Sequence, residues 1–284
     1  MSRPAPFSVF GLFLLLLAIA PLPRAAGHPG IHEQEAAAES DLAAHPEDPE
    51  RHLTRGRVHA EKGEWDAALA SYDRARRLGA SGARVDLLCG AAYLDAQWPH
   101  MARASFEGVL GDEPGHPTAR LGRARAWMQL DHPEEAAADY RVAVARLEVL
   151  QPGYVLEYRD ALAAAGAPAD ALGALDRGME RLGQVPSLQL AAIDTQVEAA
   201  EYDDALRRLD LLLARSPGHP TWSARRGEIL ERAGRTEEAR LAYVDALENI
   251  RSRTSRRRSL RLEELEGRVR AALARQDIPK EATP

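Results

Sequence analysis

Cysteine occurs once, at Cys89, lysine twice, at Lys62 and Lys280, and aromatic residues make up only 5% of the 284 residues. A lone cysteine excludes an internal disulfide and any metal site built from several thiolates. Its neighbours Leu87 and Leu88 mark it as a packing residue. Stability must therefore come from buried apolar surface, and a hydrophobic content of 45% is ample for that. Scarce lysine does not mean scarce positive charge, because arginine supplies it. Together with the abundance of alanine, this reads as a GC-rich coding bias rather than a binding device. Acidic residues still outnumber basic ones, 43 to 37, for a net charge of −6. Mild acidity favours solubility and argues against a general nucleic-acid binder. Also missing are a Ser-His-Asp arrangement, a phosphate-cradling glycine loop and a metal-binding HExxH helix. An enzyme has no residues here to stand on, and no cofactor is expected.

Long apolar runs are absent with one exception, "FSVFGLFLLLLAIA" from Phe7 to Ala20. Arg3 precedes it, and Pro21, Pro23 and the small residues Ala25 and Gly27 follow. This is the pattern of an export signal over residues 1–27, cleaved before His28. The run is shorter than the ~20 residues a membrane-spanning helix needs, so removal is expected over the alternative, an uncleaved anchor. With no cysteine nearby, lipid attachment is excluded.

The rest of the chain rewrites one phrase. "GEWDAALASYDRA" begins at Gly63, and related strings begin at Gln97, Asp131, Gly166, Ala200 and Gly234, which are 34, 34, 35, 34 and 34 residues apart. The fixed points are Ala68, Ala102, Ala136, Ala171, Ala205 and Ala239. A large apolar residue follows four positions later (Tyr72, Phe106, Tyr140, Leu175, Leu209, Tyr243). Three further on stands Ala75, Val109, Ala143, Gly178, Leu212 or Ala246. Spacing of i, i+4, i+7 places these on one helix stripe. Upstream of each phrase a second helix is predicted, with Gly56, Gly90, Ala124 and Gly227 at its eighth position and Tyr93, Trp127, Leu162 and Leu230 at its eleventh. "DEPGHP" (Asp112–Pro117) and "RSPGHP" (Arg215–Pro220) close units with helix-stopping turns.

A helix–turn–helix unit repeating every 34 residues with these anchors resembles the tetratricopeptide repeat. The resemblance implies an all-α, right-handed superhelical solenoid of six units: 49–82, 83–116, 117–150, 152–185, 186–219 and 220–253. Such a unit cannot bury its own apolar stripe, so the packing signals must recur for neighbours to cover one another. Units four and five depart from the pattern, with Arg159 and Ile193 where a small residue is expected. Their helix pairs should sit wider or in a shifted register. Residues 28–48 read as a partial repeat capping the front. Residues 254–276 read as a basic linker and an amphipathic capping helix, with Leu262, Leu265, Val269 and Leu273 at helical spacing. Residues 277–284 are expected to be a disordered tail.

The resemblance also makes one stripe of each first helix, its positions 5, 9 and 12, the concave binding surface. Position 5 gives a ladder of Leu53, Leu87, Leu121, Leu156 and Leu190; position 9 gives Arg57, Arg125, Asp160, Asp194 and Glu228. The Lys, Asn and Arg set with which the best-known members hold a peptide carboxylate does not occur in consecutive units. Two readings stand: the leucines pack against the facing helix as core, or they form an apolar ladder flanked by basic groups in front and acidic groups behind, fit for an extended or helical peptide. The expected function is that of a non-enzymatic interaction scaffold, exported into a bacterial envelope and most naturally periplasmic, whose partner is another protein or peptide. The same groove could accept the capping helix of a second copy, giving a homo-oligomer.

Two other constellations carry alternatives. His28 and His32, at the expected mature start, could chelate copper through the terminal amine and ring nitrogens. His52 and His59 fall on core positions and are read as packed residues rather than ligands. The run "RSRTSRRRSLR" from Arg251 to Arg261 is either a solvated linker or a contact to anionic lipid, which would make the chain a membrane-surface adaptor.

Overall fold

Eight helices of this chain begin on a proline at their first or second position, from Pro49 through Pro220. Proline suits that place because its missing N–H would have no intrahelical partner and its φ is already helical. In the computed structural model, which describes residues 30–252 and 260–276, fourteen helices follow one another. They are α1 (Ile31–Ala44), α2 (Pro49–Glu61), α3 (Trp65–Arg77), α4 (Gly82–Asp95), α5 (Pro99–Asp112), α6 (Pro117–Gln129), α7 (Pro133–Arg146), α8 (Pro152–Ala164), α9 (Pro168–Leu182), α10 (Pro186–Glu198), α11 (Tyr202–Arg215), α12 (Pro220–Arg232), α13 (Thr236–Ser252) and α14 (Leu260–Gln276). Each packs on the next, which is an all-α solenoid. The six repeat units each hold one pair, a first helix (α2, α4, α6, α8, α10, α12) and a second (α3, α5, α7, α9, α11, α13). The expectations for residues 1–27, most of the basic linker (253–259) and the tail (277–284) lie outside the described residues.

The first helix of every unit ends in the same way. The residue at position 15 has positive φ: Gly63, Gly166 and Gly234, but also Gln97, Asp131 and Ala200. The next N–H then reaches back to the carbonyl at position 11, as in Trp98 to Tyr93 (2.8 Å), Glu201 to Gln196 (2.8 Å) and Arg235 to Leu230 (2.9 Å). This left-handed cap satisfies orphan carbonyls and turns the chain into the second helix.

Within a unit, the position-8 glycine takes the aromatic ring of the second helix against its backbone. A Cβ on Gly56 would lie 2.3 Å from the Tyr72 ring, on Gly90 2.6 Å from Phe106, and on Gly227 2.6 Å from Tyr243. The small residue is therefore the socket and the aromatic the plug. Units four and five change both together: Arg159 and Ile193 fill the socket, and Leu175 and Leu209 replace the ring.

Both ends of the array are covered. Leu265, Val269 and Ala272 of α14 are buried in the same cluster as Tyr243, Leu247 and Ile250 of α13. At the front, α1 buries Ala38 and Leu42 and ties itself to α2 by charge. Lys62 Nζ lies 2.6 Å from both Glu35 and Glu64, and Arg55 lies 2.9 Å from Glu39.

Candidate binding groove

Helix geometry decides what the groove can offer. A first helix in a solenoid is covered by its own second helix, by that of the unit before, and by first helices on either side. Only a narrow stripe stays open. Position 10 is buried in all six units (Val58, Ala92, Ala126, Ala161, Thr195, Ile229). Positions 2 and 13 are exposed in all six, and position 9 is exposed or half-buried. Steps of seven and four keep positions 2, 9 and 13 on one face.

The leucine ladder therefore needs correction. Leu53 is fully buried (0%) against Tyr72 and Val85, and Leu121 is 5% exposed against Tyr140 and Tyr158. These two are core residues. Leu87, Leu156 and Leu190 are half-buried and pack on the apolar clusters. Of the ladder, Leu190 alone lines either of the two basins described next. Of position 9, Arg125 and Asp160 line one basin, Asp194 and Glu228 the other, and Arg57 is exposed. The groove residues that sequence reasoning missed stand mainly at position 13, among them Asp95, Gln129, Glu198 and Arg232.

A central basin of about 610 Å³ spans α4, α6 and α8. Ala91, Leu94 and Met128 form its apolar part with the Tyr140 ring, and Asp95, Gln97, Gln129, Arg125, Glu157 and Asp160 its polar part. Arg125 holds Glu157 with two parallel bonds, Nε to Oε2 and Nη2 to Oε1, each 2.8 Å. Its guanidinium also lies over the Tyr154 ring, 5.5 Å from the centroid. The buried Tyr140 hydroxyl donates to Glu157 Oε2 at 3.1 Å. Burial, then the neighbouring carboxylate, pushes its ionisation above the ordinary tyrosine range. Of its three carboxylates, Glu157 is paired with Arg125 and Asp160 lies 3.1 Å from Arg159 Nε.

The rear basin, about 480 Å³, lies between α10, α12 and α14. Arg159, Arg225, Arg232 and Arg268 line it beside Asp194, Glu198 and Glu228, over Leu190, Val197, Trp222, Ala224 and Leu265. Arg225 pairs with Asp194 and, at 2.9 Å, with Glu228. The expected acidic rear is thus offset, with four arginines beside three carboxylates. Arg125 is neutralised by a glutamate of the next unit, and arginines at positions 6, 8 and 13 offset the rear acids.

His52 and His59 are packed structural residues. His52 Nε2 lies 2.9 Å from the Pro46 carbonyl, and His59 Nδ1 lies 2.6 Å from Glu64. Among the described residues no group of three or more His, Cys, Asp or Glu could hold a metal. His32 is exposed near the start of α1, and His28 lies outside the described residues. Burial pushes the Cys89 thiol up to about 11, which makes it unreactive at neutral pH. Of the basic run, Arg251, Leu260 and Arg261 are exposed. No described helix is long and apolar enough to cross a membrane.

The tetratricopeptide repeat family model matches residues 35–83, 90–149 and 190–254. That is more than half of the chain. The chain belongs to the tetratricopeptide repeat family. The stretch between the last two matches is largely unit four, where Arg159 fills the socket. No curated protein matches the chain in sequence. Solved structures do match in fold. One is the C-terminal part of a tetratricopeptide repeat-containing protein from Cytophaga hutchinsonii (TM-score 0.62, 11% identity, 83% of this chain and 94% of that one). Another is a tetratricopeptide repeat protein from Parabacteroides merdae (TM-score 0.51, 15% identity, 84% and 92%). A third is the pilF protein of Pseudomonas aeruginosa (TM-score 0.51, 14% identity, 78% and 97%).

Proposed function

We propose that this tetratricopeptide repeat protein is a non-enzymatic scaffold that holds a protein partner along its concave face. One observation carries the proposal. The only stripe of the first helices left open, positions 2, 9 and 13, runs through all six units and opens into two basins. Eighteen exposed or half-buried positions without a large apolar residue form a surface that takes no part in the apolar core, so much of its composition is free to serve a partner. Stacked repeats produce extended concave surfaces of this kind, and the family uses them for binding.

The proposal includes export to a bacterial envelope, on the strength of Arg3, the apolar run Phe7–Ala20 and the small residues Ala25 and Gly27. The test is photo-crosslinking in the native host after fractionation. A crosslinking amino acid is placed at Ala91, Gln129 or Ala164 on the stripe, and at Glu107 or Arg240 on exposed second-helix positions. A defined adduct from the stripe alone, in the envelope fraction, is expected. Adducts from the second-helix positions alone would overturn the groove, and adducts in the cytoplasm alone would overturn the localisation.

A further inference from the structure

The junction between units three and four breaks a charge pattern that the other junctions keep. Position 25, on the second helix, is acidic in four units, as Asp73, Glu107, Asp176 and Asp210. Position 7 of the next first helix lies beside it: Arg226 Nε is 3.8 Å from Asp210, and the Glu107 charge bears on the Arg123 guanidinium. At the third junction Arg141 replaces the acid, and Tyr158 stands at position 7. A cavity of about 320 Å³ opens there between α7, α8 and α9, lined by these two and by Ala137, Ala138, Leu162, Asp170 and Arg177. It shares no residue with either basin of the groove.

Tyr158 is the residue that points to a ligand. Its ring packs with Tyr140 and Leu121, and the residue is only 6% exposed. Its hydroxyl nevertheless has no hydrogen-bond partner among the described residues. A buried tyrosine hydroxyl ordinarily has one, as Tyr140 has Glu157. Nor is the oxygen sealed in, because the accessible part of Tyr158 faces this cavity.

The two arginines are equally unspent. No carboxylate stands one turn from Arg141, whose neighbours there are Ala137, Ala138, Val144 and Ala145. Among the described residues neither Arg141 nor Arg177 makes an ion pair or a hydrogen bond. The Arg177 guanidinium folds back over Gly173, where a Cβ would lie 3.3 Å from Nη1. That carries it one turn along α9 toward Asp170, which has no ion pair among the described residues either.

We infer that this cavity binds a small α-amino acid, or a compound carrying the same carboxylate and ammonium. The carboxylate accepts from Arg141, Arg177 and the Tyr158 hydroxyl, all of them donors without a partner in the fold. The ammonium goes to Asp170, which would repel a plain anion. Ala137, Ala138 and Leu162 leave an apolar wall for a small side chain, and the volume is at the lower end of the ~300–1,000 Å³ of ligand sites. A peptide offers only one of the two charged groups at each end, so the free amino acid is the better match.

The test follows the arginine Nε–H and tyrosine ring NMR signals of the chain from His28 onward, titrated with L-valine, valinamide and N-acetylvaline. L-valine should shift Arg141, Arg177 and Tyr158 along one saturable curve. Arg215, another exposed and unpaired arginine, should not move. Valinamide lacks the carboxylate and N-acetylvaline the ammonium, so each should bind about tenfold or more weakly, the worth of one charge-assisted contact. Arg141→Gln together with Arg177→Gln should abolish saturation. Tyr158→Phe should weaken valine binding several-fold and leave the melting temperature unchanged, because the hydroxyl bonds nothing within the fold. Absence of a saturable shift up to about 50 mM, where even a millimolar site is filled, would overturn the inference. So would equal binding of valinamide, equal shifts at Arg215, or undiminished affinity in Tyr158→Phe. N-acetylvaline or inorganic phosphate binding as tightly as valine would mean a simple anion site and would overturn the amino-acid assignment. The concave groove stands or falls separately, on the crosslinks from its stripe.

Discussion

Three non-glycine residues in the left-handed conformation allow the repeat geometry to be tested quantitatively. Gln97, Asp131 and Ala200 have φ of 60°, 61° and 60°, at the position where the other units have Gly63, Gly166 and Gly234. Holding an L-residue there costs about 1–2 kcal/mol, from the approach of Cβ to a carbonyl oxygen. Replacing it with glycine removes that strain but returns about 0.5–1 kcal/mol of backbone entropy to the unfolded chain. The net gain is therefore about 0.5–1 kcal/mol per site. Ala200→Gly should gain most, because alanine has no polar side chain to compensate. Asp131→Gly should gain least, because aspartate tolerates this conformation better than most residues. The sites belong to different units and should add, giving about 2 kcal/mol for the triple variant. For an array of this size each kcal/mol moves the midpoint by about 2–4 °C, so the triple variant should melt about 4–8 °C higher. Repeat arrays can unfold piecewise, so calorimetry should be paired with hydrogen exchange of each turn. The reciprocal change, Gly166→Ala, should destabilise by the same net amount, about 0.5–1 kcal/mol. If Ala200→Gly lowers the midpoint, or Gly166→Ala leaves it unmoved, these turns are not the left-handed caps described.

Leu53→Ala and Leu121→Ala should each cost about 2–5 kcal/mol in urea unfolding, the range for a buried leucine, whereas Gln129→Ala on the open stripe should stay within about 0.5 kcal/mol. Equal, small effects from all three would return the leucines to the groove. The seam between α1 and α2 should loosen at both extremes of pH. Hydrogen bonds from Lys62 and His59 hold Glu64 below its usual range, so its stabilisation is present above the ordinary carboxylate value and is lost as pH falls through the folded one, below 4.5. Bonds to Glu35 and Glu64 hold Lys62 above 10.5, so its contribution is complete below that value and is lost as pH rises past the folded one. Hydrogen exchange of α1 should show protection falling in both directions, and Lys62→Met should abolish the alkaline limb. An α1 that stays protected at both extremes would mean that Ala38 and Leu42 hold it without the charges.

The repeat was legible because its packing signals are contacts between fixed pairs of positions. The ring of Tyr72, Phe106 or Tyr243 needs the glycine at position 8, so both must recur in step. Where one is lost in units four and five, so is the other. The starts of the helices were legible in their prolines, but the turn at position 15 was only half so. Glycine marks it in three units, while Gln97, Asp131 and Ala200 show that the solenoid imposes the left-handed turn even where the residue resists it.

The groove was harder to read, for a reason that follows from the same packing. An isolated amphipathic helix shows one apolar face, and a stripe 100° away can be taken for surface. A first helix in this array is enclosed on most of its circumference, so position 10 is interior in every unit, as Ala126 and Thr195 show, and position 5 is buried at Leu53 and Leu121 and half-buried at Leu87, Leu156 and Leu190. The useful signal was therefore not where leucine recurs but where no large apolar residue ever occurs. Positions 2, 9 and 13 meet that condition in every unit. Read that way, Asp95, Gln129, Glu198 and Arg232 join the groove from sequence alone. Net polarity does not follow so easily, because it depends on which charges are spent on one another. Arg125 looked like a free cation at position 9, yet its partner Glu157 lies 32 residues on, at position 6 of the next first helix. Such a pair exists only once the units are stacked. It turns an apparently free cation into one half of a fixed ion pair.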